Sequence, residues 1–303
     1  MPSMTTISPL LQKIEYGDVR SLARAITIVE NELKGSGDLL EKIHSRNIPV
    51  IGITGPPGAG KSSLVNTLVH HLLTKKCSIG IVAVDPSSPF NFGSLLGDRI
   101  RLAEHFNHPN VFIRSMATRG SLGGLSDKIM EVADVMQAFP FDYIFIETVG
   151  VGQSEVEIAG LADTTIVVMV PEAGDEIQTM KAGLMEIADI FVVNKADRAD
   201  ADQFAKNLRT LAASGMTKEW TIPVLKTVAT QNKGINELIE QILRHNTAVH
   251  SNERKIMLLA EKAWRIIQKE RMRAVDKKKL VAAIQQSVKK EGFNVYQFAK
   301  SFF

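Results

Sequence analysis

A single cysteine, Cys77, in 303 residues excludes an internal disulfide and gives no sign of an oxidising compartment. At helical spacing after Leu73 it reads as inert packing. The N-terminus lacks the apolar h-region of a signal peptide, and no apolar run reaches the roughly 18 residues of a membrane span. Metal-binding tracts are missing as well. The seven histidines are scattered, and His70-His71 has no Cys or carboxylate at ligand spacing, which makes a surface pair the better reading. There is no internal repeat and no low-complexity segment. These absences predict a soluble, cytoplasmic protein.

Nor is there a strong excess of one charge. The net balance is +3, yet residues 250–303 carry 13 Lys/Arg against 5 Asp/Glu, or +8, leaving −5 for residues 1–249. A basic tail could touch nucleic acid or an anionic membrane. Here the cations are interspersed with an apolar stripe at helical spacing, Ile256, Leu259, Ala263, Trp264 and Ile267. A solvated helix face or a partner interface is therefore expected, with neither nucleic acid nor membrane as partner.

What is present is most concentrated at Ile51-Gly52-Ile53-Thr54-Gly55-Pro56-Pro57-Gly58-Ala59-Gly60-Lys61-Ser62-Ser63. The run fits the phosphate-binding loop G-x-x-x-x-G-K-S/T. A β-branched segment, Val50 to Thr54, precedes it, and Leu64, Val65, Leu68, Val69 and Leu72 follow at helical spacing. A glycine-rich turn and a helix N-terminus would aim backbone N–H groups at an anion. Lys61 would then reach the β- and γ-phosphates, and the Ser62 hydroxyl could ligate Mg²⁺.

About 130 residues further on, Asn194-Lys195-Ala196-Asp197 follows the apolar run Ile190-Phe191-Val192-Val193. A carboxylate at a strand end can accept from N1–H and the N2 amino group of guanine. Adenine offers no such donor pair, so Asp197 would reject ATP by leaving polar groups unpaired. Asn194 and Lys195 would brace the loop and cover the ring. GTP and GDP are the expected ligands.

Three regions follow from the periodicity. Residues 1–48 read as a helical extension, with Ser8-Pro9 opening a short helix that Gly17 ends. Asp18 caps a longer helix carrying Leu22, Ile26, Val29 and Leu33, stopped by Gly35-Ser36-Gly37. Residues 49–248 alternate strands and helices, with strands predicted at 49–54, 79–84, 111–114, 142–147, 165–170, 189–193 and 222–226. Continuous apolar strands imply an α/β, doubly wound, mostly parallel sheet with both faces covered. Residues 249–303 are helical again, broken near Ala274-Val275-Asp276.

Between the two motifs lie the acidic strand ends a Mg²⁺–nucleotide site needs. Glu147, in Glu147-Thr148-Val149-Gly150, is the first candidate for the metal, and the Gly150 N–H could bond the γ-phosphate. Loss of that bond on hydrolysis would release Val151 to Glu155, an order–disorder switch in which Gln153 could orient water. Asp85 ends a second strand. The Ser/Pro/Gly-rich loop after it runs to Asp98, the third acidic candidate. Few protein ligands are required, since Mg²⁺ keeps several waters. A further segment, Pro171 to Gln178, lies where ligands sit in such sheets, but spacing alone makes it an ordinary loop.

Together these segments resemble the MeaB/ArgK-type GTPases, the family of the methylmalonic aciduria type A protein, over nearly the whole chain. The resemblance rests on Gly55 to Ser63, Val84-Asp85-Pro86-Ser87-Ser88-Pro89, Leu96-Gly97-Asp98-Arg99, Glu147 to Glu155, Pro171 to Gln178, and Ala188-Asp189 through Asp197. It implies a P-loop GTPase core with an N-terminal helical extension and a C-terminal dimerisation arm. It also implies a chaperone that gates adenosylcobalamin loading of a B12-dependent acyl-CoA mutase. The Pro171 loop becomes an additional switch, whose matching Asp175 and Lys181 approach the nucleotide in the active complex. One departure concerns the turn that usually presents a Ser-Ala backbone to guanine O6. Here it is Lys226-Thr227-Val228-Ala229-Thr230, where the N–H groups of Val228 and Ala229 could still serve.

Three rivals stand beside this reading. A kinase or ATPase linked to amino-acid transport needs an amino-acid pocket that no segment forms. A nickel metallochaperone of the same superclass needs a His tract or Cys cluster. A degenerate scaffold conflicts with intact Lys61, Ser62 and Glu147.

Overall fold

A computed structural model of the chain describes residues 7–85, 102–117, 128–148, 158–173, 182–214, 220–248, 252–272, 275–289, 292–300 and 302. Contacts divide the chain into two compact units, Met1–His250 and Ser251–Phe303.

The first unit is built on a seven-stranded sheet, entirely parallel among the described residues. Its strands are β1 (Val50–Thr54), β2 (Ile79–Asp85), β3 (Val111–Ala117), β4 (Tyr143–Glu147), β5 (Thr164–Met169), β6 (Ile190–Val193) and β7 (Val224–Lys226), in the order β3-β2-β4-β1-β5-β6-β7. β1 is flanked by β4 and β5, with Ile53 in register with Glu147 and Ile166. The loops after these three strands therefore emerge together at one edge.

Side chains alternate strictly across this sheet. One face presents Val50, Val82, Val84, Ile144 and Ile146, and beyond them Val167, Met169, Phe191 and Val193. Helices α1 (Ile7–Glu15), α2 (Val19–Glu30), α3 (Ser36–Lys42) and α5 (Ile129–Gln137) cover the first group, and α7 (Ala201–Ser214) covers the second. The opposite face presents Ile51, Ile53, Ile79, Ile81, Phe145, Ile166, Val168, Ile190 and Val192 to α4 (Lys61–Thr74) and α8 (Ile235–Ala248). A short helix α6 (Ala182–Ile187) leads into β6. Burial on both faces explains why the central strands β1, β5 and β6 read as nearly unbroken apolar runs.

The N-terminal helices differ from expectation in three details. α1 begins at Ile7 rather than after a Ser8 cap; Pro9 sits in its first turn, where a missing N–H costs nothing. Asp18 does cap α2, accepting from Ser21 N at 3.0 Å. α2 stops at Glu30, however, so Leu33 falls beyond it and is 48% exposed. Gly35, at φ +94, then opens α3, an element the sequence reading treated as a mere stop.

The second unit consists of α9 (Asn252–Met272), α10 (Lys277–Ser287) and α11 (Val295–Lys300). Asp276 caps α10, in the break the sequence predicted near residue 275, through Lys279 N at 3.2 Å. Asn294 caps α11 through Tyr296 N at 2.9 Å. Phe298 stacks with Phe293 and Phe302 at ring separations of 5.9 and 5.4 Å. Ile256, Leu259, Trp264, Ile266 and Ile267 on α9 are each more than half exposed.

Because Leu22 is fully buried between α2 and the sheet, Leu22→Ala should cost about 2–5 kcal/mol. Leu33→Ala should stay within about 0.5 kcal/mol of the parent. Urea midpoints of the two variants check this, and equal midpoints would mean that α2 is not part of the core.

Candidate functional site

The loop between β1 and α4 is shaped by three glycines in the left-handed half of backbone space, Gly55 (φ +134), Gly58 (φ +77) and Gly60 (φ +87). Two of them are also sterically required. A Cβ on Gly55 would lie 2.1 Å from the Val168 carbonyl oxygen, and one on Gly60 would lie 2.4 Å from the Asn194 side-chain nitrogen. No side chain fits either place.

The carbonyl groups of this loop are held by donors. Lys61 Nζ donates to Gly55 O at 2.8 Å and Pro56 O at 3.0 Å. Lys195 Nζ donates to Gly58 O at 2.7 Å, Asn194 Nδ2 to Ala59 O at 3.0 Å, and Leu64 N to Gly60 O at 2.9 Å. A loop whose carbonyls are already engaged offers its N–H groups to a ligand, the polarity an anion requires. Lys61 is itself 94% buried, since its relative exposure is 6%. A desolvated ammonium held by carbonyls is positioned for a phosphate oxygen.

Asn194, 2% exposed, bridges three segments. Its Nδ2 meets the β1–α4 loop, while its Oδ1 accepts from Thr227 Oγ1 at 3.0 Å and Ala229 N at 3.3 Å. Ala196 N donates to Thr227 O at 3.0 Å, and Thr67 Oγ1 of α4 donates to Ala229 O at 3.0 Å. Sequence spacing gave no signal for Thr67 or Thr227, because their function is contact across 162 and 33 residues. Asp197 lies exposed at the end of this turn.

The turn after β7 already gives partners to the two amides expected to face guanine O6. The Val228 N–H donates to Lys233 O at 3.1 Å and the Ala229 N–H to Asn194 Oδ1, so both amides are engaged within the fold. A base carbonyl would have to displace one of these bonds. The longer one, at Ala229, is the weaker.

At the other side of the loop, Ser62 Oγ donates to Glu147 Oε1 at 2.6 Å, both residues being buried. Beside them Thr148 Oγ1 donates to Thr54 Oγ1 at 2.9 Å, a hydroxyl pair that the sequence did not flag. A hydroxyl against a carboxylate supplies the hard oxygens that suit Mg²⁺, so these residues fit that ion.

Asp85 ends β2 at the same edge as Glu147, but its side chain is outside the described residues. So are Asp98, Gly150, Gln153, Asp175 and Lys181. Asp189, by contrast, sits at the opposite end of the sheet. Its Oδ2 accepts from Thr165 N at 2.7 Å, and its Oδ1 lies 3.3 Å from His245 Nε2, a buried structural tie. Cys77 packs against the α4 face of the core, and burial pushes its thiol up, which suits an inert residue.

Comparison with known proteins agrees with this geometry. The family described as "Methylmalonyl Co-A mutase-associated GTPase MeaB" matches residues 22–286. A protein of Pyrococcus abyssi, named only provisionally as a GTPase, is 48% identical over 270 residues, 87% of this chain and 82% of its own. The "Fused isobutyryl-CoA mutase" of Geobacillus kaustophilus is 36% identical over 220 residues, 69% of this chain but 20% of the mutase. The crystal structure of an "LAO/AO transport system kinase" superposes with a TM-score of 0.71 at 24% identity, covering 100% of this chain and 98% of its own, which establishes likeness of fold.

Asn194→Ala should leave Thr227, Ala229 and Ala59 with broken hydrogen bonds and cost about 1–3 kcal/mol of stability without nucleotide. Thermal melting of the variant beside the parent reads this directly. An unchanged melting temperature would mean that the three segments are held by something else.

Proposed function

The chain belongs to the MeaB family of methylmalonyl-CoA mutase-associated GTPases, and from that premise we propose that it uses GTP hydrolysis to gate adenosylcobalamin loading and reactivation of a B12-dependent acyl-CoA mutase. The observation that carries the nucleotide half of this reading is the link between the two loops. Asn194 and Lys195 of the guanine turn donate to Ala59 and Gly58 of the phosphate loop, so base and phosphate binding are mechanically joined. The mutase half is supported by a relative in which a homologous segment is part of an isobutyryl-CoA mutase chain.

In this reading Lys61 and the loop amides from Gly55 to Ser63 neutralise the phosphates, and Asp197 selects guanine. Ser62 and Glu147, with Asp85 and Asp98, hold Mg²⁺. Held there, Mg²⁺ would supply positive charge to neutralise the phosphates. Phosphoryl transfer to water asks the protein mainly for position and charge, so Lys61 should matter most to the rate. Gln153 and Gly150 are proposed to sense the γ-phosphate, and Asp175 and Lys181 to carry the signal to the mutase. The run of exposed apolar side chains on α9, from Ile256 to Ile267, supports pairing with a second copy, since contiguous exposed apolar patches mark interaction sites. Asp197 argues against the kinase reading, because ATP has no donor pair for its carboxylate.

Lys61→Ala should abolish GTP hydrolysis, and Asp197→Asn should shift preference toward xanthosine nucleotides. Retained GTP selectivity in Asp197→Asn contradicts the base assignment. Copurification with a tagged copy should recover an acyl-CoA mutase.

Deleting residues 250–303 should give a monomer by light scattering with GTP binding intact. A truncated chain that stays dimeric refutes the arm as the dimer contact.

A further inference from the structure

β5 and β6 are neighbours, with Met169 in register with Val193, so the residues that follow each strand lie side by side. Glu172 sits in the short 3₁₀ turn Pro171–Ala173 after β5, and Arg198 closes the turn after β6. Their side chains form an ion pair, Arg198 Nη1 to Glu172 Oε1. That hydrogen bond holds the Glu172 carboxyl below the usual carboxylate range.

Asp197 immediately precedes Arg198 in the turn after β6 and is exposed. Two cations flank it in sequence, and each is drawn elsewhere: Lys195 to Gly58 O, Arg198 to Glu172. Asp197 itself has no hydrogen bond or ion pair among the described residues. Without Glu172, the Arg198 guanidinium would be free to turn to the carboxylate next to it in sequence, Asp197. A guanidinium matches a carboxylate in a bidentate fork, the same two oxygens that guanine needs.

We propose that Glu172 is a specificity-determining residue of the base site, holding Arg198 so that the Asp197 carboxylate stays available to the paired donors of guanine. The proposal rests on Asp197 as the guanine reader. It makes Glu172 a positioning residue that acts through Arg198 and does not touch the nucleotide. A plain brace between two loops is the competing account, and it predicts a different pattern in the double variant.

The test titrates a fluorescent guanosine diphosphate, and its xanthosine counterpart, against the full chain, Glu172→Ala, Glu172→Ala/Arg198→Ala and Asp197→Asn. Glu172→Ala should weaken guanosine diphosphate binding roughly two- to fivefold, the scale of competition from one exposed ion pair. Removing Arg198 as well should restore binding to near the parent value, because the competitor is gone. An unaffected single variant overturns the proposal, and so does a double variant as weak as the single one, which is the result of a brace. Asp197→Asn separates the two levels. A switch to the xanthosine nucleotide keeps the base reading whatever Glu172 does. Retained guanine preference removes both.

Discussion

The carboxamide of Asn194, buried where three loops meet, is the contact on which the nucleotide end of the sheet depends. Its two polar ends face opposite ways, one donating to Ala59 and the other accepting from Thr227 and Ala229. Only an amide of this length can do both at once, since a carboxylate would repel the Ala59 carbonyl and an aliphatic group would satisfy neither side. In an environment this dry each broken bond carries a desolvation cost that water cannot recover. The contact therefore ties three connections to one another. It also explains Gly60, whose missing Cβ is the space the amide occupies.

That tie depends on strand order. Placing β1 between β4 and β5 brings the phosphate loop, Glu147 and the segment after β5 to one edge. β6, next to β5, adds the turn of Asn194 to Asp197, and β7 adds the turn holding Thr227 to Ala229. The parallel sheet can exist only with both faces covered, and the N-terminal helices are part of that cover. Leu22, Ala25, Ile26 and Val29 of α2 lie in the same cluster as Val50, Val82 and Ile144. The ion pair of Arg114 on β3 with Glu30 at the end of α2 adds a polar seam to the apolar contact.

Much of this was legible in the chain. Mostly continuous apolar runs located all seven strands, because burial on both faces of the central ones leaves no polar alternation to confuse the pattern. β3, with Arg114 and Ser115, instead runs on to Ala117, beyond the predicted 111–114. The phosphate loop and Asn194 to Asp197 were legible because their glycines and side chains are dictated by local backbone and ligand chemistry. α3 was missed, since Gly35 can as well end a helix as precede one, and a seven-residue helix has little periodicity. The engagement of the Val228 and Ala229 amides was also invisible, because it is decided by Lys233 and Asn194 in space.

The sequence by itself determined the class of fold and the glycine-shaped loop that opens α4, since each follows from short-range rules of periodicity and sterics. Tertiary structure alone decided which loops are bound to one another. Thr67 against Ala229, Thr54 against Thr148 and Glu172 against Arg198 are pairs that no spacing announces. They exist because parallel strands deliver distant segments to a common edge, and contact there depends on strand order rather than on distance along the chain.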